Sequence, residues 1–254
     1  MEVDILRIDK DKKENLKDTV TDEAPLTLEL EGKELVTLLC SPDNLKELSI
    51  GFLYSSGLVN SLNDIENIVI DNRNLVSHLE LKNKDILSEL VFKRLYTSGC
   101  GKGVFFYNAL DLMHRKTKTG NFQISAGKIT ELMQTFQKSS LAFRKTGGVH
   151  SAALSNGKEI IIFKEDIGRH NALDKVIGTA LIKNLKMKDL IVLTSGRITS
   201  EIVFKVRKIG SPILISRSAP TDQAIKVAGE GNLTLAGFVR GQRMNVYTVK
   251  ERVI

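Results

Sequence analysis

Between residues 190 and 238 the chain alternates short apolar runs with helical stretches, a rhythm that few architectures accept. The runs at 190–193, 212–215 and 233–238 lack the in–out alternation of a half-exposed strand, and helices near 200–209 and 221–228 separate them. Strands apolar on both faces and spaced by helices predict a partly parallel sheet covered on both sides. The segment upstream extends the pattern. Runs at 150–154 and 159–163 flank Asn156-Gly157, a strong hairpin signal. Leu173, Val176, Ile177, Ala180 and Leu181 then share one helical face, and Ile129, Leu132, Met133 and Phe136 form another stripe after Ser125.

The chain before about residue 115 reads differently. Alternation over 26–30, a Glu31-Gly32 turn and a return over 35–39 predict a hairpin. Ser41-Pro42 is expected to start a helix as N-cap and first residue, with Leu45, Leu48 and Phe52 on its apolar face and Gly57 at its end. Ile68-Val69-Ile70 and Leu90-Val91-Phe92 read as further short strands. The expected organisation is a smaller α+β unit over 1–115 and an α/β unit over 116–254. The second unit is a three-layer domain with a mostly parallel or mixed sheet. Its order of helix, two strands, then alternating helix and strand parallels the layout of deaminase-like domains, an analogy of fold that does not fix function.

Composition narrows the class. A 254-residue chain with 42% hydrophobic and 26% charged residues can bury a sizeable core. No apolar run approaches the roughly 20 residues of a membrane span. The first eighteen residues mix acids with bases and lack the apolar centre of a secretion signal. Two cysteines far apart in sequence fit a reducing compartment, so a cytoplasmic protein is expected. Net charge of +7 favours anionic partners or a mildly basic solvated surface. Aromatic content of 6%, no Trp and no basic block give little support to a nucleic-acid-binding protein, which stays a minor alternative.

Chemistry-bearing residues fall in two groups. Cys100 lies in Thr97-Ser98-Gly99-Cys100-Gly101-Lys102-Gly103, where glycines free the backbone and Lys102 lies close in sequence. A neighbouring cation lowers a thiol from its free pKa of about 8.5 and raises the nucleophilic thiolate fraction. The heptapeptide also reads as a glycine turn that happens to hold a small residue. Cys40, in an apolar run, reads as core.

The second group sits where strands are expected to end. Arg169 and His170 follow one strand, Ser195, Gly196 and Arg197 a second, and Arg217 and Ser218 a third. Each segment precedes a helix. In such sheets ligands bind beyond the carboxyl ends of the strands, where helix N–H groups and arginine forks suit phosphate oxygens. One such segment alone is more often a helix cap with a surface arginine; three at equivalent positions shift the balance to a pocket for a phosphorylated ligand. Arg240 and Arg243 follow the last strand. His170 and Asp174 stand one helical turn apart and could pair. His150, after Gly147-Gly148, could contact a ligand or be structural, and His78 and His114 carry no motif. No cysteine follows residue 115, so the Pro-Cys-x-x-Cys ligands of a zinc deaminase are missing, and no tightly bound metal is expected. Ser195 lacks the Gly-x-Ser-x-Gly elbow of a hydrolase.

From about Glu23 to Tyr247 these residues resemble the FdhD/NarQ formate dehydrogenase accessory family. The landmarks are Glu23-Ala24-Pro25-Leu26, Gly51-Phe52-Leu53, the Cys100 loop and the Thr146–Ala153 segment with its paired glycines. The most specific is Glu165-Asp166-Ile167-Gly168-Arg169-His170-Asn171-Ala172-Leu173-Asp174-Lys175. Ser195-Gly196-Arg197, Ser218-Ala219-Pro220-Thr221 and Gly237-Phe238-Val239-Arg240-Gly241 complete the set.

The resemblance implies a cytoplasmic, dimeric sulfurtransferase with a deaminase-like domain lacking zinc. Such a protein accepts persulfide sulfur from a cysteine desulfurase and passes it to the molybdenum cofactor, bis-molybdopterin guanine dinucleotide, destined for the formate dehydrogenase catalytic subunit. By position, Cys100 holds the persulfide, and Phe238, Val239, Arg240, Gly241, Gln242 and Arg243 belong to the cofactor-binding segment. A non-catalytic cofactor chaperone is the alternative. Two departures stand out: Thr97 occupies the place of a first loop cysteine found in many relatives, and Ser55-Ser56-Gly57 replaces a glutamate-bearing stretch, read as a surface change.

Overall fold

The computed structural model describes residues 1–84, 95–96, 104–105 and 122–254. Thr97, Cys100, Lys102 and His114, and the strand expected at 90–92, lie outside the described residues. The chain opens with a hairpin that its mixed charges had concealed, β1 (Glu2–Asp9) and β2 (Lys12–Thr19), which stands as its own two-stranded sheet. Leu6 and Ile8 are exposed on it.

The expected hairpin follows as β3 (Ala24–Leu30) and β4 (Lys33–Cys40), with α1 (Leu45–Ser55) behind it. Along β3, Ala24, Leu26, Leu28 and Leu30 are buried, the period-two pattern of a strand with one face in a core. β5 (Ile65–Asp71) and β6 (Val76–Leu81) complete a four-stranded sheet in the order β4-β3-β6-β5, in which β3 and β6 run parallel. Leu48, Phe52 and Leu53 of α1 pack on it around Cys40, which is fully buried. Two short strands, β7 (Leu95–Tyr96) and β8 (Val104–Phe105), pair antiparallel.

α2 (Ala126–Ser139) starts at Ser125, whose hydroxyl accepts the Lys128 N–H at 3.2 Å, and the short α3 (Leu141–Thr146) follows. β9 (His150–Ser155) and β10 (Ile160–Asp166) form the hairpin expected at Asn156-Gly157. Next come α4 (Arg169–Ile182), β11 (Ile191–Thr194), α5 (Ser200–Lys208), β12 (Ile213–Ser216), α6 (Asp222–Glu230), β13 (Thr234–Arg240) and β14 (Arg243–Thr248). The six strands lie in the order β10-β9-β11-β12-β13-β14; β11, β12 and β13 are parallel and the other pairings antiparallel. The sheet is therefore mixed, and apolar on both faces as expected. Val192, Leu214 and Leu235 join α4, α5 and α6 in one core, while Leu193, Ile215 and Ala236 join Ile129, Leu132, Met133 and Phe136 of α2 in another. That makes three layers.

α1 and α4 press the two sheets' helical layers together at two glycines. A Cβ on Gly51 would lie 1.8 Å from the Asp174 carbonyl oxygen, and one on Gly178 would lie 1.9 Å from that of Glu47. Two expectations fail around this crossing. α1 begins at Leu45 with Asn44 as its N-cap in a left-handed conformation (φ 51°), not at Ser41-Pro42. Ser41 is drawn instead onto the corner after β10, where its N–H donates to Asp166 and its hydroxyl accepts the Ile167 N–H. Ser55 and Ser56 are not surface residues: both are buried, and Ser55 Oγ donates to Asp174 Oδ1 at 2.7 Å.

Candidate functional site

β10, β11, β12 and β13 all point the same way, so the segments after them emerge at one edge of the six-stranded sheet. The starts of β9 and β14 lie there too, through the pairings His150–Asp166 and Arg243–Arg240. The expected placement of Arg169, His170, Ser195, Gly196, Arg197, Ser218 and residues 238–243 at strand ends thus brings them to a single edge. The side chains of Arg197, Arg217, Arg240 and Arg243 are exposed along it.

The run from Glu165 to Lys175 divides its labour. Glu165 accepts from Ser140 Oγ (2.5 Å) and from the Ala142 and Phe143 N–H groups (3.1 and 3.2 Å), so it caps α3. Asp166 is fully buried and accepts from the Ser41 N–H, the Gly168 N–H and Asn171 Nδ2 at 2.8–3.1 Å. Lys175, also fully buried, bridges Asp166 (2.7 Å) and Asp43 (2.5 Å) and donates to the Ser41 carbonyl at 3.1 Å. Asn171 ties the same corner to the Leu39 carbonyl at 2.8 Å. Most of the motif therefore staples α4 to the loop after β4. Arg169 and His170 remain for the edge.

His170 does not pair with Asp174. Its Nε2 lies 3.2 Å from Glu201 Oε2 on α5. Asp174, one turn along the buried side of α4, takes Lys205 Nζ at 2.5 Å together with Ser55. Burial holds His170 well below the usual imidazole pKa, and the cations Lys205 and Arg169 add to that, so Glu201 faces a neutral ring. Burial pushes Asp174 up, while Lys205 and Ser55 pull it back.

Ser195 turns its hydroxyl toward β9. It accepts the Ser151 N–H at 2.9 Å and lies 3.3 Å from His150 Nδ1. Burial, then Arg169 and Arg197, lower the His150 pKa. Gly196 is where the stem of Arg169 crosses the backbone: a Cβ there would lie 3.0 Å from Arg169 Cβ and Cδ. Ser216 Oγ donates to the Gly196 carbonyl and accepts the Ser218 N–H at 3.0 Å, fixing the two neighbouring turns together.

At the last strand, Val239 is buried in the core below the sheet, so within 238–243 it is a packing residue. Phe238 sits at a bulge with φ 52°, rare for an aromatic residue, its N–H donating to the Ser218 carbonyl. Arg240 lies 5.7 Å over the Phe238 ring and donates from Nε to the Arg217 carbonyl at 3.1 Å. Gly241 (φ 58°), Gln242 and Arg243 form the exposed turn to β14.

The sequence had not revealed three contacts: His150 with Ser195, Glu201 with His170, and Asp43 with Lys175. Each joins elements remote along the chain, so no local spacing announces it. Among the described residues no group of three or more His, Cys, Asp or Glu is placed to hold a metal ion, and no helix is long and apolar enough to cross a membrane. The arrangement is suited to binding an anion among arginines, with one neutral imidazole beside them.

Comparison with known proteins identifies the family along nearly the whole chain. The FdhD/NarQ family model matches residues 21–254. A sulfur carrier protein FdhD from Bacillus pumilus is 44% identical over 93% of this chain and 90% of its own. One from Bacillus subtilis is 40% identical over 98% and 96%. The fold matches that of a formate dehydrogenase accessory protein from Desulfotalea psychrophila known from its crystal structure, with a TM-score of 0.79 at 23% identity, covering 100% of this chain and 99% of that one. With a family match across the strands, the stapled corner and the arginine edge alike, the chain belongs to the FdhD/NarQ family.

Proposed function

We propose that this protein is a cytoplasmic sulfur carrier that uses Cys100 to relay persulfide sulfur to the molybdenum cofactor of formate dehydrogenase. Two relatives at 40–44% identity are sulfur carrier proteins by name, which supports the sulfur role. The structural observation that carries the reading is the one sheet edge shared by Arg169, Arg197, Arg217 and Arg240 at four strand ends and Arg243 at the start of β14. Two guanine dinucleotides bring pyrophosphates that arginine forks match. Phe238, under Arg240, offers a ring edge to a purine.

In the relay, the Cys100 thiolate attacks the outer sulfur of a cysteine desulfurase persulfide. A new S–S bond forms on Cys100, the donor's S–S bond breaks, and the donor leaves as its thiolate. Passing that outer sulfur on as sulfide takes two electrons, supplied by a thiol reductant that becomes a disulfide. With Thr97 in place of the first loop cysteine, one thiol carries the sulfur. Sulfurtransferase describes the same activity. The reading includes a homodimer that meets the desulfurase and the formate dehydrogenase catalytic subunit. It also treats 1–115 and 116–254 as two units, the second deaminase-like without zinc. Separate apolar cores around Leu28 and around Val192 support that division.

The test is incubation with a cysteine desulfurase and sulfur-35-labelled cysteine. Wild-type protein should gain about 32 Da, one sulfur, mapped to Cys100. Cys100→Ala should gain none and should fail to restore formate dehydrogenase activity in cells lacking the gene. Label and activity that survive Cys100→Ala refute the relay.

A further inference from the structure

The serine expected to touch the ligand has its hydroxyl occupied elsewhere, and that occupation says what the neighbouring histidine does. Ser195 Oγ accepts the Ser151 N–H at 2.9 Å, an amide that can only donate. The hydroxyl's own proton needs an acceptor, and among the described residues the one in reach is His150 Nδ1 at 3.3 Å. A ring nitrogen that accepts carries no proton, so the ring proton of neutral imidazole lies on Nε2.

His150 is half-buried at the first position of β9, opposite Asp166, and among the described residues its Nε2 has no hydrogen-bond partner. The groups that surround it favour an uncharged ring: Arg169 at the start of α4 and Arg197 after β11 repel a second proton, while Asp166 at the end of β10 opposes them weakly. Gly196 brings these groups together. A Cβ there would lie 3.5 Å from His150 Nδ1 and only 3.0 Å from the Arg169 stem. The two side chains thus flank the same turn of backbone.

We propose that His150 is a ligand-contacting residue of the arginine edge, donating from Nε2 to an anionic oxygen of a nucleoside diphosphate group, and that Ser195 is a positioning residue that fixes this tautomer. The proposal rests on the edge being the ligand site, and it adds a residue that arginine patterning does not select. A neutral donor within the field of two guanidinium groups supplies a directional hydrogen bond without adding to their mutual repulsion. It also orients the phosphate relative to the sheet, which point charges alone do not.

The experiment uses guanosine diphosphate as the probe on the full chain, by calorimetric titration, with nitrogen-15 spectra of the histidine rings alongside. Wild-type His150 should show an unprotonated Nδ1 and a protonated Nε2 at neutral pH. His150→Ala should weaken guanosine diphosphate binding about 10-fold or more, the scale of one hydrogen bond to a charged group. His150→Gln, whose side-chain amide reaches as far as Nε2, should recover most of that loss. Ser195→Ala should weaken binding by a smaller factor and leave the His150 ring as a mixture of tautomers, a change that a merely structural serine would not produce. A protonated Nδ1 in the wild-type ring, or equal affinity in wild type and His150→Ala, overturns the proposal while leaving the ligand site standing. Absence of saturable binding to the wild type at millimolar probe overturns the site itself, and the sulfur-labelling experiment on Cys100 is independent of both.

Discussion

Replacing Gly178 by alanine tests the claim that backbone contact between α1 and α4 holds the two helical layers together. On helix propensity alone the change is favourable, since alanine is better than glycine in a helix interior by about 1 kcal/mol. Packing reverses the sign. The new methyl would stand 1.9 Å from the Glu47 carbonyl oxygen and 2.7 Å from its carbon, both backbone atoms that cannot rotate away. Ordinary contact requires the helices to part by more than an ångström at their closest point. A gap of roughly that size already forfeits a quarter to a half of each neighbouring dispersion well. Ser55–Asp174 and Lys175–Asp43, which cross the same interface, would stretch with it. A 1.9 Å approach to fixed backbone belongs at the top of the roughly 1–3 kcal/mol that overpacking costs, so against a propensity gain of about 1 the net loss is about 2 kcal/mol. For a chain this long that lowers the melting temperature by roughly 4–8 °C. Gly127→Ala is the control: it lies in α2 with nothing within 4 Å of its would-be Cβ, and should be neutral or slightly stabilising. Differential scanning fluorimetry with urea titration reads both. A Gly178→Ala protein as stable as Gly127→Ala would refute the close crossing.

Three further outcomes are expected. Lys175→Met leaves the buried Asp166 carboxylate without its cation and should cost roughly 3–5 kcal/mol in urea unfolding, whereas loss of a surface ion pair such as Lys128–Glu131 should cost under about 1. Burial, with Asp166 nearby, pushes the Cys40 thiol up to about 12, so native Cys100→Ala protein should resist iodoacetamide at pH 8 and react once unfolded. His170 binds its proton less readily folded than unfolded, so stability is retained above the unfolded pKa of about 6.5 and should fall as pH drops below it; urea midpoints between pH 7.5 and 5 should decline, and less steeply in His170→Gln.

Much of the architecture was legible because hydrophobic period is a local property. The runs that became β11, β12 and β13 are apolar on both faces, and only a sheet covered on both sides satisfies them. The helical stripe Ile129, Leu132, Met133 and Phe136 announced α2 in the same way. The placement of the arginine segments followed from a rule about strand ends, which needs direction but not detail. Elsewhere the local signal misled. β1 and β2 pair through backbone groups while their side chains stay mostly in water, so apolar alternation gave no warning. Ser41-Pro42 carries a good N-cap signature, but the Ser41 N–H and hydroxyl are engaged across the chain by Asp166 and the Ile167 N–H, contacts that no local pattern announces.

The amino-acid sequence by itself determined the three-layer alternation, the buried Cys40 and the edge on which the arginines would gather. Tertiary structure alone decided the partners: His170 with Glu201 and not Asp174, Ser55 with Asp174 across 119 residues, Lys175 with Asp43 across 132, and Ser195 with His150. The physical reason is that periodicity states which face of an element avoids water, whereas a hydrogen bond or ion pair depends on which other face arrives there. At Gly51 and Gly178 that arrival is so close that only a residue without a side chain leaves room for it.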